Sequence, residues 1–197
     1  MMGQLEEMLL EIKDTSELMV DLAYSSLLYN SKEIAEEVYQ LHQRMAELGE
    51  EIEELAIKRA IEDKDIPKSL TTLRMAKSVQ QISNAALRIA DVVRREVTPH
   101  PVIQLSLRES DVIITTAVVQ ENSDLAGSTL GAVKLATNSG MYVIAIRRGR
   151  RYIYGPDRNT SIVAGDILFV RGPEDGEEFL RDLASGVEHL EAKDLQR

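Results

Sequence analysis

The chain has 197 residues, of which 44% are hydrophobic, 28% charged and only 4% aromatic, with no Trp and no Cys. That is the composition of a folded globular chain with an aliphatic core, and it excludes disulfides, thiolate chemistry and cysteine-ligated metals. A formal net charge of −10 repels polyphosphate backbones, which argues against a dedicated nucleic-acid binder. The longest apolar run, Val112–Val119, is far short of the roughly 18 residues of a membrane span. The acidic, amphipathic start MMGQLEEMLLEIKD has no basic leader and no small-residue cleavage site. A cytoplasmic chain is expected, without direct membrane insertion.

Up to Val97 the pattern is helical, with only Pro67 of the five prolines. The first helix is expected over about 4–28, placing Met8, Ile12, Met19, Leu22 and Leu27 near one face. The second is expected over about 31–61. Its Ile34, Val38, Leu41, Met45, Leu48, Ile52 and Leu55 alternate four and three residues apart, a heptad seam packed against near-antiparallel neighbours. Ser31 is placed to cap it by accepting from the amide of Ile34. The third runs over about 67–97, with Pro67 in its first turn and Val79, Ile82, Ala86, Ile89 and Val93 on one face. Three long helices with short links make an up-down-up bundle. So narrow a bundle exposes much surface for its core, and pairing into a homodimer or a higher even oligomer is expected.

Thr98-Pro99-His100-Pro101 breaks the helical pattern, because each proline removes a donor and pushes its predecessor toward extended backbone. The expected organisation is a helical domain over 1–97, a linker over 98–110, a small α+β domain over 111–186 and a tail over 187–197. In the second domain a strand is expected over 114–119, then a short helix over 129–137 capped by Ser128. A strand over 141–146 follows, and Arg147-Arg148-Gly149-Arg150 forms the tight link of a hairpin returning through Arg151–Tyr154. The last strand is expected over 167–170, and a final helix opens at Pro173 and ends at Gly186.

The run Ser123-Asp-Leu-Ala-Gly-Ser-Thr-Leu130, then Gly140-Met-Tyr-Val-Ile-Ala-Ile-Arg147, Gly155-Pro156 and Ala164-Gly-Asp-Ile-Leu-Phe-Val-Arg-Gly172 resembles the TrkA C-terminal domain, the C-terminal lobe of RCK (regulator of potassium conductance) proteins. Gly165 suits a turn of positive φ, and Asp166 can accept local amides there. Ile34-Ala-Glu-Glu-Val38, Arg88-Ile-Ala-Asp91 and the helix lengths resemble the PhoU-like helical family. The combined resemblance implies a non-enzymatic accessory subunit of a membrane cation channel or transporter, active in potassium transport. The alternative it implies is a PhoU-type regulator of phosphate uptake. The Rossmann lobe of RCK proteins is missing: no Gly-x-Gly-x-x-Gly occurs, so no NAD site is expected.

Arg147, Arg148, Arg150 and Arg151 are a local basic cluster in an acidic chain, and guanidinium groups bind phosphates through paired donors. The bland reading is an exposed turn neutralising nearby acids. The resemblance implies a small phosphorylated effector, such as a cyclic dinucleotide, held between paired subunits near this strand. Arg147, Arg148 and Arg151 would then meet the phosphates and Ile144 would form an apolar wall. Glu17-Leu-Met-Val-Asp21 resembles the carboxylate pattern with which PhoU-like proteins hold metal ions. Carboxylates at i and i+4 sit one turn apart and can share a divalent cation. Asp91 is the nearest counterpart on the third helix, where Leu87 occupies the position a second pair would need. Otherwise the pair is a solvated acidic face. His42, His100 and His189 show no ligand or catalytic spacing, and no nucleophile–base pair is visible.

Overall fold

A computed structural model describes residues 3–97 and 112–190. The chain divides into two compact units, Met1–Leu107 and Arg108–Arg197. The expected linker and His100, together with the last residues of the expected tail, lie outside the described residues.

The first unit is three helices: α1 (Gln4–Tyr29), α2 (Lys32–Asp63) and α3 (Ile66–Arg94). Asn30 ends α1 with a left-handed residue, φ 49°, and Ser31 Oγ accepts from the Ile34 amide to start α2. The α2 seam is buried from Ile34 through Ile52, continued by Ala56 while Leu55 is half-buried. Asp65 caps α3 by accepting from Lys68 N, and Pro67 lies in the first turn.

The buried face of α3 differs from the expected one. Ser69, Ala76, Ser83 and Ala90 recur every seventh residue in the core, with Ala86 and Val93 beside them, while Ile82 is 45% exposed. Small side chains let α3 approach its neighbours closely, so Ser83 Oγ reaches Met19 Sδ at 3.3 Å. The larger Val79, Ile82 and Ile89 are displaced toward the flank. Close helix packing by small residues competes with burial of large ones, and here packing prevails.

The second unit is a four-stranded antiparallel sheet with helices. Its elements are β1 (Val112–Val118), α4 (Leu130–Val133), α5 (Leu135–Ser139), β2 (Tyr142–Arg148), β3 (Arg151–Tyr154), β4 (Ile167–Pro173) and α6 (Gly176–Ser185). The strand order is β1-β4-β2-β3. The expected single helix over 129–137 is two turns of helix, broken where Lys134 adopts a left-handed conformation, φ 51° and ψ 35°. Its cap is Thr129, which accepts from Ala132 N, whereas Ser128 Oγ donates to the Asp124 carbonyl. Pro173 closes β4 rather than opening the last helix, which begins at Gly176.

Gly149 takes φ 61° in the two-residue β2–β3 link, which suits the twist of a tight hairpin. Ile144 is the extra residue of a bulge in the β2–β4 pairing. Leu125, Val133, Leu135, Met141, Ile146, Ile162, Leu168, Val170, Leu180 and Leu183 form the core against one face of the sheet. At Gly172 a Cβ would lie 2.8 Å from the Gly140 carbonyl oxygen and 2.9 Å from Met141 Cα. Only glycine admits that approach of β4 to the start of β2.

Candidate effector site

Two surfaces of the second unit concentrate polar chemistry, and they lie at opposite ends of β2. The arginine end was expected from the sequence. There, Arg148 donates from Nε and Nη2 to the two carboxylate oxygens of Asp166, each at 2.8 Å, and from Nη2 to the Ser161 carbonyl. Asp166 is fully buried and also accepts from Val163 N at 2.9 Å. The carboxylate raises the pKa of Arg148 further above its ordinary value. This side chain is therefore committed to holding the turn before β4. Arg150 and Arg151 are exposed at the hairpin tip, Arg147 is partly buried, and the Ile144 carbonyl accepts from Gly155 N.

The other end of β2 opens into a cavity of about 390 Å³. Leu130 and Lys134 come from the broken helix, Tyr142 and Val143 from the start of β2, and Pro156 and Arg158 from the turn after β3. That turn is built by Asp157, whose Oδ1 accepts from Asn159 N at 3.0 Å and from Thr160 Oγ1 at 2.9 Å. These donors, the Thr160 hydroxyl first, lower the Asp157 pKa below its ordinary value and keep it an anion. Gly131 N donates to the Arg158 carbonyl at 2.8 Å, and a Cβ on Gly131 would sit 2.7 Å from that oxygen. A glycine is thus needed where the helix meets the turn.

Beside one carboxylate, Asp157, whose Oδ1 is already engaged by Asn159 N and Thr160 Oγ1, the cavity presents apolar walls and two cations, Lys134 and Arg158. That is the pairing a phosphorylated ligand with flat bases requires. A span of five residues separates Tyr142 from Arg147, ~16 Å along a strand, so the hairpin arginines do not line this cavity. Sequence reading singled out Gly140-Met141-Tyr142 and Gly155-Pro156 for the fold but missed their joint wall. Lys134 gave no local signal, since nothing in its neighbours calls for left-handed backbone.

On the helical unit, Glu17 is ion-paired with Lys13 at 2.8 Å and Asp91 with Arg94 and Arg95. Among the described residues, no three Asp, Glu or His side chains come together as metal ligands would. Among the same residues, no helix is long and apolar enough to cross a membrane.

The TrkA-C domain model matches residues 114–184, and the PhoU domain model matches residues 9–93. The chain joins a PhoU domain to a TrkA-C domain. A Ktr system potassium uptake protein A from Vibrio alginolyticus is 32% identical over 83 residues, which is 42% of this chain and 37% of that protein. The match thus spans little more than a third of the relative's length. Among solved structures, the RCK_C domain dimer of S. agalactiae BusR in complex with c-di-AMP is 26% identical. It covers 33% of this chain and 86% of that one, with a TM-score of 0.32. The GsuK channel bound to NAD is 13% identical over 58% of this chain and 21% of that one, with a TM-score of 0.34. The cavity lies wholly within the TrkA-C domain, and the Glu17–Asp21 face lies on the PhoU domain.

Proposed function

We propose that this chain is a non-enzymatic cytoplasmic regulatory subunit of a potassium or other cation transport system, paired with itself and docked on a membrane channel or transporter. The observation that carries the reading is the cavity between the broken helix, β2 and the Pro156–Arg158 turn. Similarity to a Ktr-system potassium uptake protein supports the transport setting. The ligand is a small phosphorylated effector, a cyclic dinucleotide by the TrkA-C resemblance. Lys134 and Arg158 meet its phosphates, and Leu130, Tyr142 and Pro156 face its bases. A subunit pair would close the site, so occupancy would bias how the subunits pack. No nicotinamide cofactor and no nucleic acid enter this reading.

The test is calorimetric titration of cyclic dinucleotides, c-di-AMP first, into the full chain. Lys134→Ala with Arg158→Ala should weaken binding at least tenfold, whereas Arg147→Ala with Arg151→Ala should change it little. The reverse pattern moves the site to the hairpin arginines. Absence of binding by every cyclic dinucleotide and phosphorylated nucleotide removes the effector reading.

The PhoU match favours a second reading, regulation of phosphate uptake with a divalent cation at Glu17, Asp21 and Asp91. Manganese or zinc retained by the purified chain and lost in Glu17→Gln with Asp21→Asn would support it. Equal uptake by that variant would reduce the pair to a solvated face.

A further inference from the structure

The loop end of the α2–α3 hairpin carries four exposed aliphatic side chains: Ile61 is 73%, Ile66 67%, Ile57 55% and Leu70 43% exposed. On α2, the α3 side is marked by His42, 2.8 Å from Asn84, and the α1 side by Arg44, which donates to Glu11. Ile52 and Ser83 are buried in the core. At about 100° per residue, Glu53, Ile57, Glu50 and Ile61 lie roughly 100–180° round α2 from Ile52, past His42. On α3, Ile66, Lys77, Leu70 and Arg88 lie about 100–140° from Ser83, on the Asn84 side. The two flanks make one surface along the α2–α3 groove, facing away from α1. Its charges are sorted by helix. Glu50 and Glu53 stand on α2 with Glu54 at the rim, and Lys77 and Arg88 on α3 with Arg74 at the rim. None of these six makes an ion pair among the described residues, whereas Glu6, Glu11 and Glu17 are paired within the chain. The other charges of this face are also paired within the chain, Lys32 with Glu96 and Arg95 with Asp91.

We infer that this α2/α3 face docks on the same face of a second copy of the chain, with α2 of each protomer laid on α3 of its partner. Charge selects the occupant and its orientation. A two-fold parallel to the helices sets the acidic flank of each α2 on the basic flank of the other α3, and does so twice. A two-fold across the helices would set α2 on α2 and α3 on α3, like on like, and is repelled.

Register follows from the hairpin itself. His42 meets Asn84, Glu36 meets Arg94, and a Cβ on Gly49 would lie 2.6 Å from Gln80 Nε2. Residues of α2 and α3 whose numbers total about 128 therefore stand level, and a two-fold parallel to the helices keeps those levels. Lys77 then stands level between the partner's Glu50 and the partner's Glu53, and Arg74 with the partner's Glu54 at the rim. Ile57 meets the partner's Leu70 and Ile61 the partner's Ile66, so the apolar end closes on itself. Arg88 stands level with the partner's Tyr39, a ring that attracts a guanidinium. The face is about 33 Å long from Tyr39 to Ile61 and roughly 20 Å across two helices. As a flat strip that is on the order of 650 Å² per copy, most of the ~800 Å² that a stable interface uses on each side. The inference rests on the reading of the chain as a self-paired subunit, and its test is run without nucleotide, so it fails or stands apart from effector binding.

The experiment uses two full-length charge variants, Glu50→Lys with Glu53→Lys and Arg74→Glu with Lys77→Glu, co-expressed and counted by native mass spectrometry. Each alone should self-associate at least tenfold more weakly than wild type, because it sets like charges together on both contacts. Together they restore opposite charges on both contacts and should form mixed pairs well above the statistical half. Ile57→Ser with Leu70→Ser, checked for helicity by circular dichroism, should raise the dimer dissociation constant at least tenfold. A statistical mixture of the charge variants overturns the inference and assigns the face to another partner. A wild-type particle of 22.0 kDa at micromolar concentration overturns it as well.

Discussion

Arg148 and Asp166 form a two-pronged ion pair, Nε and Nη2 each 2.8 Å from a carboxylate oxygen, with the Asp166 side chain at 0% exposure and that of Arg148 at 38%. The pair ties the end of β2 to the turn that starts β4. Removing either partner leaves the other's charge without its counterpart. Asp166→Ala should cost about 2–4 kcal/mol, because Val163 N also loses its acceptor. Arg148→Ala strands a buried carboxylate and should cost a similar amount, although its place in an arginine-rich turn suggests a neutral change. Urea unfolding followed by tryptophan introduced at Tyr152 reads both variants.

Lys134 stores backbone strain beside the cavity, as a non-glycine residue at φ 51°. Lys134→Gly should raise the stability of the TrkA-C domain by about 0.5–1 kcal/mol. The same change removes a cation from the cavity and should weaken effector binding. A thermal melt with and without ligand reads both: a higher Tm alone and a smaller ligand-induced rise.

The small-residue seam of α3 sets how closely the bundle packs. Ala90 is fully buried and Ala86 nearly so. Ala90→Leu should destabilise the PhoU domain by about 1–3 kcal/mol through overpacking. Ala85→Leu, on the exposed flank, should change monomer stability by under about 0.5 kcal/mol. The contrast separates the inner seam from the outer one by chemical denaturation.

Acid stability of the bundle has an identifiable contributor. Arg59 donates to both carboxylate oxygens of Glu6, at 2.8 and 3.2 Å, and holds its pKa at about 2 against an ordinary 4.5. The folded-state pKa is depressed, so the contribution is present above about pH 4.5 and is lost as pH falls toward 2. Between those values the slope of stability against pH should be shallower in Arg59→Ala. Added salt should shrink the difference, because the pair is exposed.

The three long helices were legible because each is decided locally. The α2 seam repeats over many turns, and Ser31 three residues before Ile34 is a cap that needs no distant partner. The hairpin was legible from Gly149 and the β-branched run before it. The buried face of α3 was not, since its inner seam of Ser and Ala and its outer seam of Met and Ile follow the same seven-residue period. Which of them turns inward depends on how near α1 and α2 can come. The arginine cluster was visible as charge, but the commitment of Arg148 to Asp166 was not, because the carboxylate stands 18 residues away in sequence.

The amino-acid sequence by itself determined the order of helices and strands, the Ser31 cap of α2 and the Gly149 turn, since those follow from contacts within a few residues. The cap of the broken helix, by contrast, falls on Thr129 instead of Ser128, and Pro173 closes β4. The tertiary structure alone decided the cavity. Its walls come from Leu130, Tyr142 and Pro156, brought together by the β2–β3 pairing and by the hydrogen bond from Gly131 to the Arg158 carbonyl. Side chains that converge from three elements leave no periodic trace along the chain, because their spacing is set by sheet register and by the reach of a turn.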